Sequence, residues 1–252
     1  MGKPNVPIRN LRAPYGVGLS TFAAVATNKI TVEPGAILDR TGTNDIILKE
    51  ETTLNFLRFG PNGLDTPGGP APVDDTPYFI FVIGDSTKYR PTATLASLDP
   101  DNPQLPVGYD IFSGIGYCLF ISGFLQGFIT GGDGLTKKYT YDSAPGISDL
   151  ETSTVYADIS YGTRVPYFAG NIVLQFRLDN STADNNVFIR RKGSTAVNGS
   201  SRFYAPMVGQ SRLFETNIAD NADSPNNGIF QYKVTGPDFV QFNVKGFSFN
   251  MG

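Results

Sequence analysis

Acidic side chains are the only residues in this chain whose type and spacing could support common catalytic chemistry. The 252 residues include no His and a single Cys, Cys118. That removes imidazole bases, His-dependent triads, His metal sites, Cys-cluster zinc sites and internal disulfides. The closest carboxylates are Asp74 with Asp75, Asp99 with Asp101, and Asp220 with Asp223. A glycosidase holds two carboxyls across a cleft, at about 5 Å or about 6.5–9.5 Å. All three pairs lie in Pro- or Asn-rich segments, where Asp usually closes turns through its own backbone. Turn chemistry is the expected role, with a carboxylate-based polysaccharide depolymerase as the catalytic alternative.

Other motifs fall short of their chemistry. The oxygen-rich runs Asp179-Asn180-Ser181-Thr182-Ala183-Asp184-Asn185 and Asp220-Asn221-Ala222-Asp223 suit calcium in ligand type, but neither has the spacing and closing Glu of an EF-hand. Solvated hairpin loops are the simpler reading. Gly114-Ile115-Gly116 lacks the third Gly of a dinucleotide loop, since position 119 is Leu, and no βαβ unit surrounds it. Gly131-Gly132-Asp133-Gly134 lacks the Lys-Ser/Thr of a phosphate loop. Asn180-Ser181-Thr182 and Asn198-Gly199-Ser200 fit the glycosylation acceptor pattern, which matters only for a secreted chain. Cys118 sits in an apolar run and reads as a buried, inert thiol. No catalytic, cofactor-binding or metal site is expected, and the chain is not read as an enzyme.

The elements that would carry any such residues are strands. Ile30-Thr31-Val32, Ala36-Ile37-Leu38, Asp45 to Leu48 and Leu54 to Phe59 are brief runs between Pro34-Gly35, Thr41-Gly42-Thr43-Asn44 and Asn62-Gly63. Helices need ten or more periodic residues, so this punctuation predicts strands. Tyr78 to Ile83 is unbroken apolar sequence of aromatic and β-branched residues, the pattern of a strand buried on both faces. Ile115 to Ile121 is a second such run, and Pro100, Pro103 and Pro106 enforce a loop between them.

The C-terminal third alternates. Ile172, Leu174, Phe176 and Leu178 share one face, as do Phe230, Tyr232 and Val234, and then Val240, Phe242 and Val244. Period two with one polar face predicts antiparallel strands packed on one side, and Asn198-Gly199 and Asn227-Gly228 suit tight hairpins. The expected fold is all-β: two antiparallel β-sandwich or jelly-roll-like domains behind an extended N-terminal arm. The expected boundaries are 1–28 for the arm, 29–165 for the N-terminal β domain and 166–252 for the C-terminal β-sandwich. Ser143 to Tyr167 loses the strand pattern and is read as a connection.

The totals bound the partners. A formal charge of −3 argues against nucleic-acid and anionic-membrane binding, which usually show a basic excess. No run reaches the 18 or so apolar residues of a membrane span, and Met1 to Asn10 does not read as a signal peptide. Charged residues are 17% of the chain, below the usual value of about 25%, which suits a surface covered by other protein. The absence of Trp weakens a carbohydrate-binding reading built on indole platforms.

The ordered series Ile30-Thr31-Val32-Glu33-Pro34-Gly35-Ala36-Ile37-Leu38-Asp39-Arg40-Thr41-Gly42-Thr43-Asn44-Asp45-Ile46, Asn62 to Thr66, Tyr78 to Val82 with Ile83-Gly84-Asp85-Ser86-Thr87, Pro91 to Leu95, Pro106 to Asp110 and Ile115-Gly116 resembles a module of tailed-phage virion and tail-fibre proteins. Ser113-Gly114 departs from the basic pair of that module. Val187-Phe188-Ile189-Arg190, Gly193-Ser194, Asn198-Gly199, Tyr232-Lys233-Val234 and Val244-Lys245-Gly246-Phe247 are similar to a second phage module, a small β-sandwich. The resemblance implies an architectural or adhesive role in the virion (head decoration, collar, tail or fibre), with other virion proteins as partners. It also implies assembly in the host bacterial cytoplasm, which suits a lone Cys. The alternative expectation is a receptor- or glycan-binding module of a tail fibre. Phe239 and Phe247 fall on the polar faces of their runs and, with the trimeric habit of phage fibres, give the expectation of a homo-oligomer, possibly a trimer.

Overall fold

The computed structural model describes residues 19–21, 28–65, 72–132, 136–166, 169–179, 185–195, 201–205, 211–219, 228–236 and 239–250. These residues are all-β, with a single 3-10 turn at Gly162–Arg164 and no α-helix. The chain forms two compact units, residues 1–137 with 250–252, and residues 138–249. The units thus change at Lys137/Lys138, whereas the expected division fell at 165/166.

The first unit holds β1 (Leu19–Thr21), β2 (Lys29–Val32), β3 (Gly35–Leu38), β4 (Asp45–Leu48), β5 (Thr52–Asn55), β6 (Gly63–Leu64), β7 (Thr76–Gly84), β8 (Ala93–Ser97), β9 (Ile111–Ile121), β10 (Phe124–Leu125) and β11 (Phe128–Gly132). Three sheets result: β1-β2-β5, the β3-β4 hairpin, and β10-β9-β7-β8-β6. In the last, only the β6–β8 pair is parallel. The run that begins at Thr52 ends at Asn55, not Phe59, because residues 56–59 turn to bring Gly63 and Leu64 alongside β8. Asn62 enables that turn. It adopts φ 62°, and its Oδ1 accepts the Thr94 amide at 2.9 Å and hydroxyl at 3.1 Å. Gly63 is required beside it, since a Cβ there would lie 2.5 Å from the Arg58 carbonyl oxygen.

β7 is buried on both faces, as its unbroken apolar run predicts. On one face Tyr78 meets Phe56 edge-on at 5.3 Å between ring centres. On the other, Phe81 and Ile83 join Ala93 and Leu95, and the Pro-rich 98–110 loop covers them with Leu105 and Tyr109. The loop is therefore a lid on the sheet as well as a connection.

The second unit holds most of β12 (Thr136–Tyr141), then β13 (Gly146–Glu151), β14 (Ala157–Ser160), β15 (Asn171–Asp179), β16 (Asn185–Arg191), β17 (Ser201–Ala205), β18 (Ser211–Ala219), β19 (Ile229–Val234) and all but the last residue of β20 (Phe239–Asn250). One sheet runs β12-β20-β15-β18 with β13 also on β20; the other runs β14-β19-β16-β17. Their inner faces meet through Phe176 on Phe203 at 4.7 Å, and through Phe242 on Phe230 at 5.1 Å and on Tyr232 at 5.3 Å. Ile172, Leu174, Phe176 and Leu178 are fully buried at period two, each burial worth about 1.5–3 kcal/mol.

Three expectations need correction here. Ser143 to Tyr167 is not merely a connection, because it contains β13 and β14. β13 escaped the pattern because it pairs with β20 through two register shifts, which break regular alternation. Second, Phe247 is not on a polar outer face; it is 1% exposed and stacks on Tyr139 at 4.8 Å. Leu174 pairs with Val244 but Val173 pairs with Gly246, so the chain bulges at Lys245 and the next inward residue becomes Phe247. Gly246 fits there because a Cβ would lie 2.1 Å from the Tyr139 carbonyl oxygen. Phe239 does stay partly out, at 44% exposed. Third, the N-terminal segment is not wholly an extended arm: Leu19–Thr21 pairs antiparallel with Ile30–Val32. Residues 1–18 and 22–27 lie outside the described residues.

Candidate interaction surfaces

The two acidic pairs among the described residues hold loops. Asp74 accepts the Gly123 amide at 3.1 Å, and Asp75 sits at φ 55° in the turn into β7. Asp99 accepts the amides of Asp101 at 2.8 Å and Asn102 at 3.0 Å, closing the turn after β8. Asp220 and Asp223, both oxygen-rich loops between their flanking strands, and both glycosylation patterns lie outside the described residues. Among the described residues no group of acidic, His or Cys side chains could hold a metal ion. Cys118 is buried in β9, and that burial pushes its thiol well above the ordinary value, as an inert core residue requires. Gly114-Ile115-Gly116 lies inside β9, where Ile80 pairs with Gly116 and Phe81 with Gly114, so it is a bulge and not a nucleotide loop.

In the first unit, carboxylates pin loops at the end of the main sheet where β7 leaves and β8 and β9 begin. Asp39 lies in the β3–β4 hairpin loop. Burial alone pushes its carboxyl up, but hydrogen bonds from the Asn44 side chain and amide, the Thr43 amide and the Thr41 hydroxyl outweigh that and hold it at about 2. Those donors lie 2.8–3.2 Å from its two oxygens. The next residue, Arg40, donates to the Asp101 carbonyl and lies over Phe112 at 5.8 Å. In the β7–β8 loop, Asp85 accepts from the Thr87 hydroxyl and amide and the Arg90 amide, and the Thr87 hydroxyl leads in lowering its carboxyl. Asp110 accepts the Ser86 amide at 2.7 Å together with its hydroxyl. Tyr109 donates to the Pro91 carbonyl at 3.0 Å, and Gly108, at φ 88°, leaves room for the Arg90 side chain. Flanking that Arg90–Gly108 contact, Tyr89 and Val107 stand 91% and 90% exposed. Two apolar side chains are thus presented on loops held by fixed polar contacts.

In the second unit, the outer face of β14-β19-β16-β17 carries a ladder of cations and rings. Registers place it in rows. Arg202, Phe188 and Lys233 lie side by side on β17, β16 and β19, with Tyr156 at the end of the row just before β14. The next row is Arg190, Gln231 and Asp158. The row on the other side begins with Tyr204 and Asn186. Arg190 stacks on Tyr156 at 3.5 Å and Lys233 lies 4.9 Å from the same ring centre. Lys233 and Arg202 share Phe188, at 4.7 and 5.8 Å. Burial pushes the Tyr156 phenol up and the adjacent Arg190 pulls it down. Lys192 binds Asp158, whose carboxyl is lowered first by that hydrogen bond and then by Gln231, which donates at 2.8 Å. Arg190 donates to Gln231 and Arg202 to Asn186, at 2.8 and 2.9 Å. Nothing in the run Val187-Phe188-Ile189-Arg190 singled out this face in the sequence. Its members come from four strands.

No protein-family model matches the chain, and no curated protein sequence matches it.

Proposed function

We propose that the chain is a structural component of a tailed-phage virion, a head decoration, collar, or tail or fibre protein, that acts by protein–protein assembly. One observation carries the reading: Tyr89 and Val107 project almost fully exposed from loops that Asp85, Asp110 and Tyr109 hold in place. Exposed large apolar side chains lose hydration on docking, and presentation on ordered loops lowers the entropy lost when a partner closes over them. The module-like series of residues in the first unit supports the phage assignment, and the few charges suit a surface that meets other protein.

The test replaces Tyr89 and Val107 by Asp in a tagged chain supplied to an infected host. Folding is checked by circular dichroism, and incorporation by the tag in purified particles. The variant should fold and be lost from particles, while the unaltered tagged chain is retained. Equal incorporation of the two would refute the role of this loop end. Absence of both from particles would refute the virion assignment itself.

A further inference from the structure

We propose that the first unit associates head to tail with a second copy of the chain, the Lys88-Tyr89-Arg90 loop of one copy seating on the acidic corner that Glu33, Glu50 and Glu51 form on the next. The inference rests on the assembly reading of the Tyr89–Val107 loop end and names the partner that this end meets.

On the loop side, the fold uses up the acids and leaves the cations. Asp85 gives its oxygens to the Thr87 amide and hydroxyl and to the Arg90 amide. Asp110 gives both of its oxygens to Ser86. These carboxylates are held against their own loops, and Asp85 is half-buried. Lys88 and Arg90 are exposed, and among the described residues their side chains make no hydrogen bond or ion pair. Lys88 stands at φ 60° in the turn, and the Arg90 side chain packs against Gly108. Two outward cations therefore bracket the exposed Tyr89 ring, with Val107 beside them.

On the receiving side, two ladders meet at one corner. Val32 pairs with Thr52 on β2 and β5, and Gly35 pairs with Leu48 on β3 and β4. The connections Glu33-Pro34 and Lys49-Glu50-Glu51 therefore run side by side, with Glu33 and Glu51 one step beyond a paired position and about 5 Å apart in backbone. All three glutamates are exposed, and their carboxylates have no hydrogen-bond or ion-pair partner among the described residues; Lys49 alone offsets them. Ala36 and Ile47 pair across the same hairpin, and both are exposed, Ile47 at 48%. They lie three or four residues from the glutamates, about 10–14 Å along the strands. An apolar pair beside a net-acidic corner thus matches an apolar pair bracketed by cations. Both halves of the contact are present on one chain, which is what selects a second copy as the occupant. Exposed ion pairs contribute little alone, so Tyr89 and Val107 supply the affinity and the charges fix which surfaces meet. Because the two patches differ, the contact is heterologous and builds a ring or a row instead of a two-fold dimer.

The experiment is a charge swap on the full chain, read by sedimentation equilibrium from about 1 to about 100 μM. The unaltered chain should self-associate at low salt, and added salt should weaken the association. Lys88→Glu with Arg90→Glu should weaken it about tenfold or more, and so should Glu33→Lys with Glu50→Lys and Glu51→Lys, since each variant opposes like charges. Mixing the two variants restores one native pair of surfaces and should restore association, as should all five changes in one chain. Circular dichroism verifies folding, and Lys88→Gln with Arg90→Gln gives a gentler variant that should weaken association in the same direction. A chain that stays monomeric throughout, association indifferent to salt and to both reversals, or a mixture no stronger than either variant alone would each overturn the proposal. If the unaltered chain is monomeric while the Tyr89 and Val107 variant is still lost from particles, the assembly reading stands and another virion protein covers the loops. A chain that self-associates as described yet never enters particles would instead sink the assembly reading.

Discussion

Replacing Phe247 by Ala should be among the most damaging single changes in the second unit, although simple alternation would class the residue as exposed. The ring is 1% exposed, lies flat on Tyr139 at 4.8 Å with 9° between planes, and meets Tyr141 at 6.2 Å. Burying a Phe contributes about 1.5–3 kcal/mol, and a good aromatic pair adds about 0.5–1.5 kcal/mol. The cavity left by truncation brings the expected loss to about 3–5 kcal/mol. Phe239, at the start of the same strand and 44% exposed, serves as the control. Its Ala variant should lose less than about 1 kcal/mol, as surface changes usually do. The assay is urea unfolding followed by tyrosine fluorescence, which has no Trp to mask it and 12 Tyr to report. The transition that Phe247→Ala moves is assigned to residues 138–249. If the two variants lose equal stability, or Phe247→Ala loses under about 1 kcal/mol, the bulge at Lys245 does not turn that side chain inward and the register of β20 is wrong.

Other outcomes follow from the same geometry. Gly246→Ala should cost about 1–3 kcal/mol or more, because its Cβ would sit 2.1 Å from the Tyr139 carbonyl oxygen; the same urea titration checks it. Asp39→Asn should destabilise the first unit at neutral pH by about 2 kcal/mol, the equivalent of a carboxyl held at about 2 instead of 3.8. The Asp39 carboxyl is lowered in the fold, so its stabilisation is present in full above about pH 4 and is lost as pH falls towards about 2. The gap between the two chains in thermal unfolding should therefore close over that window, and a constant gap would show that Asp39 stabilises without titrating. Cys118 should resist a thiol reagent in the native chain and react once urea unfolds it, since it is fully buried with its thiol pushed up; fast labelling of native protein would contradict the packing of β9.

Much of the architecture was legible where one face or both faces of a strand are apolar. Tyr78 to Ile83 had to be central because every side chain in it prefers burial, and β15 and β19 announced their inward faces by strict alternation. The sequence was silent where backbone geometry intervenes. A single extra residue at Lys245 reverses the phase of everything beyond it, so Phe247 looked exposed. β13 pairs through two register shifts, and its pattern dissolved with them. Asp99 was legible as a turn former, since it accepts the amides two and three residues on, whereas the contact of Asp74 with the distant Gly123 amide is one that no local pattern shows. The cation–ring face could not be read, since Tyr156, Arg190, Arg202 and Lys233 become neighbours only after strands far apart in the chain pair.

The measurement that bears most directly on the proposed virion role is the copy number of this chain in phage particles purified from a lysate that contains it, by quantitative mass spectrometry against the major capsid protein. A structural component should appear at a fixed stoichiometry that survives gradient purification and high salt. A chain found only in the soluble lysate, or in variable trace amounts that wash away, would contradict the virion role.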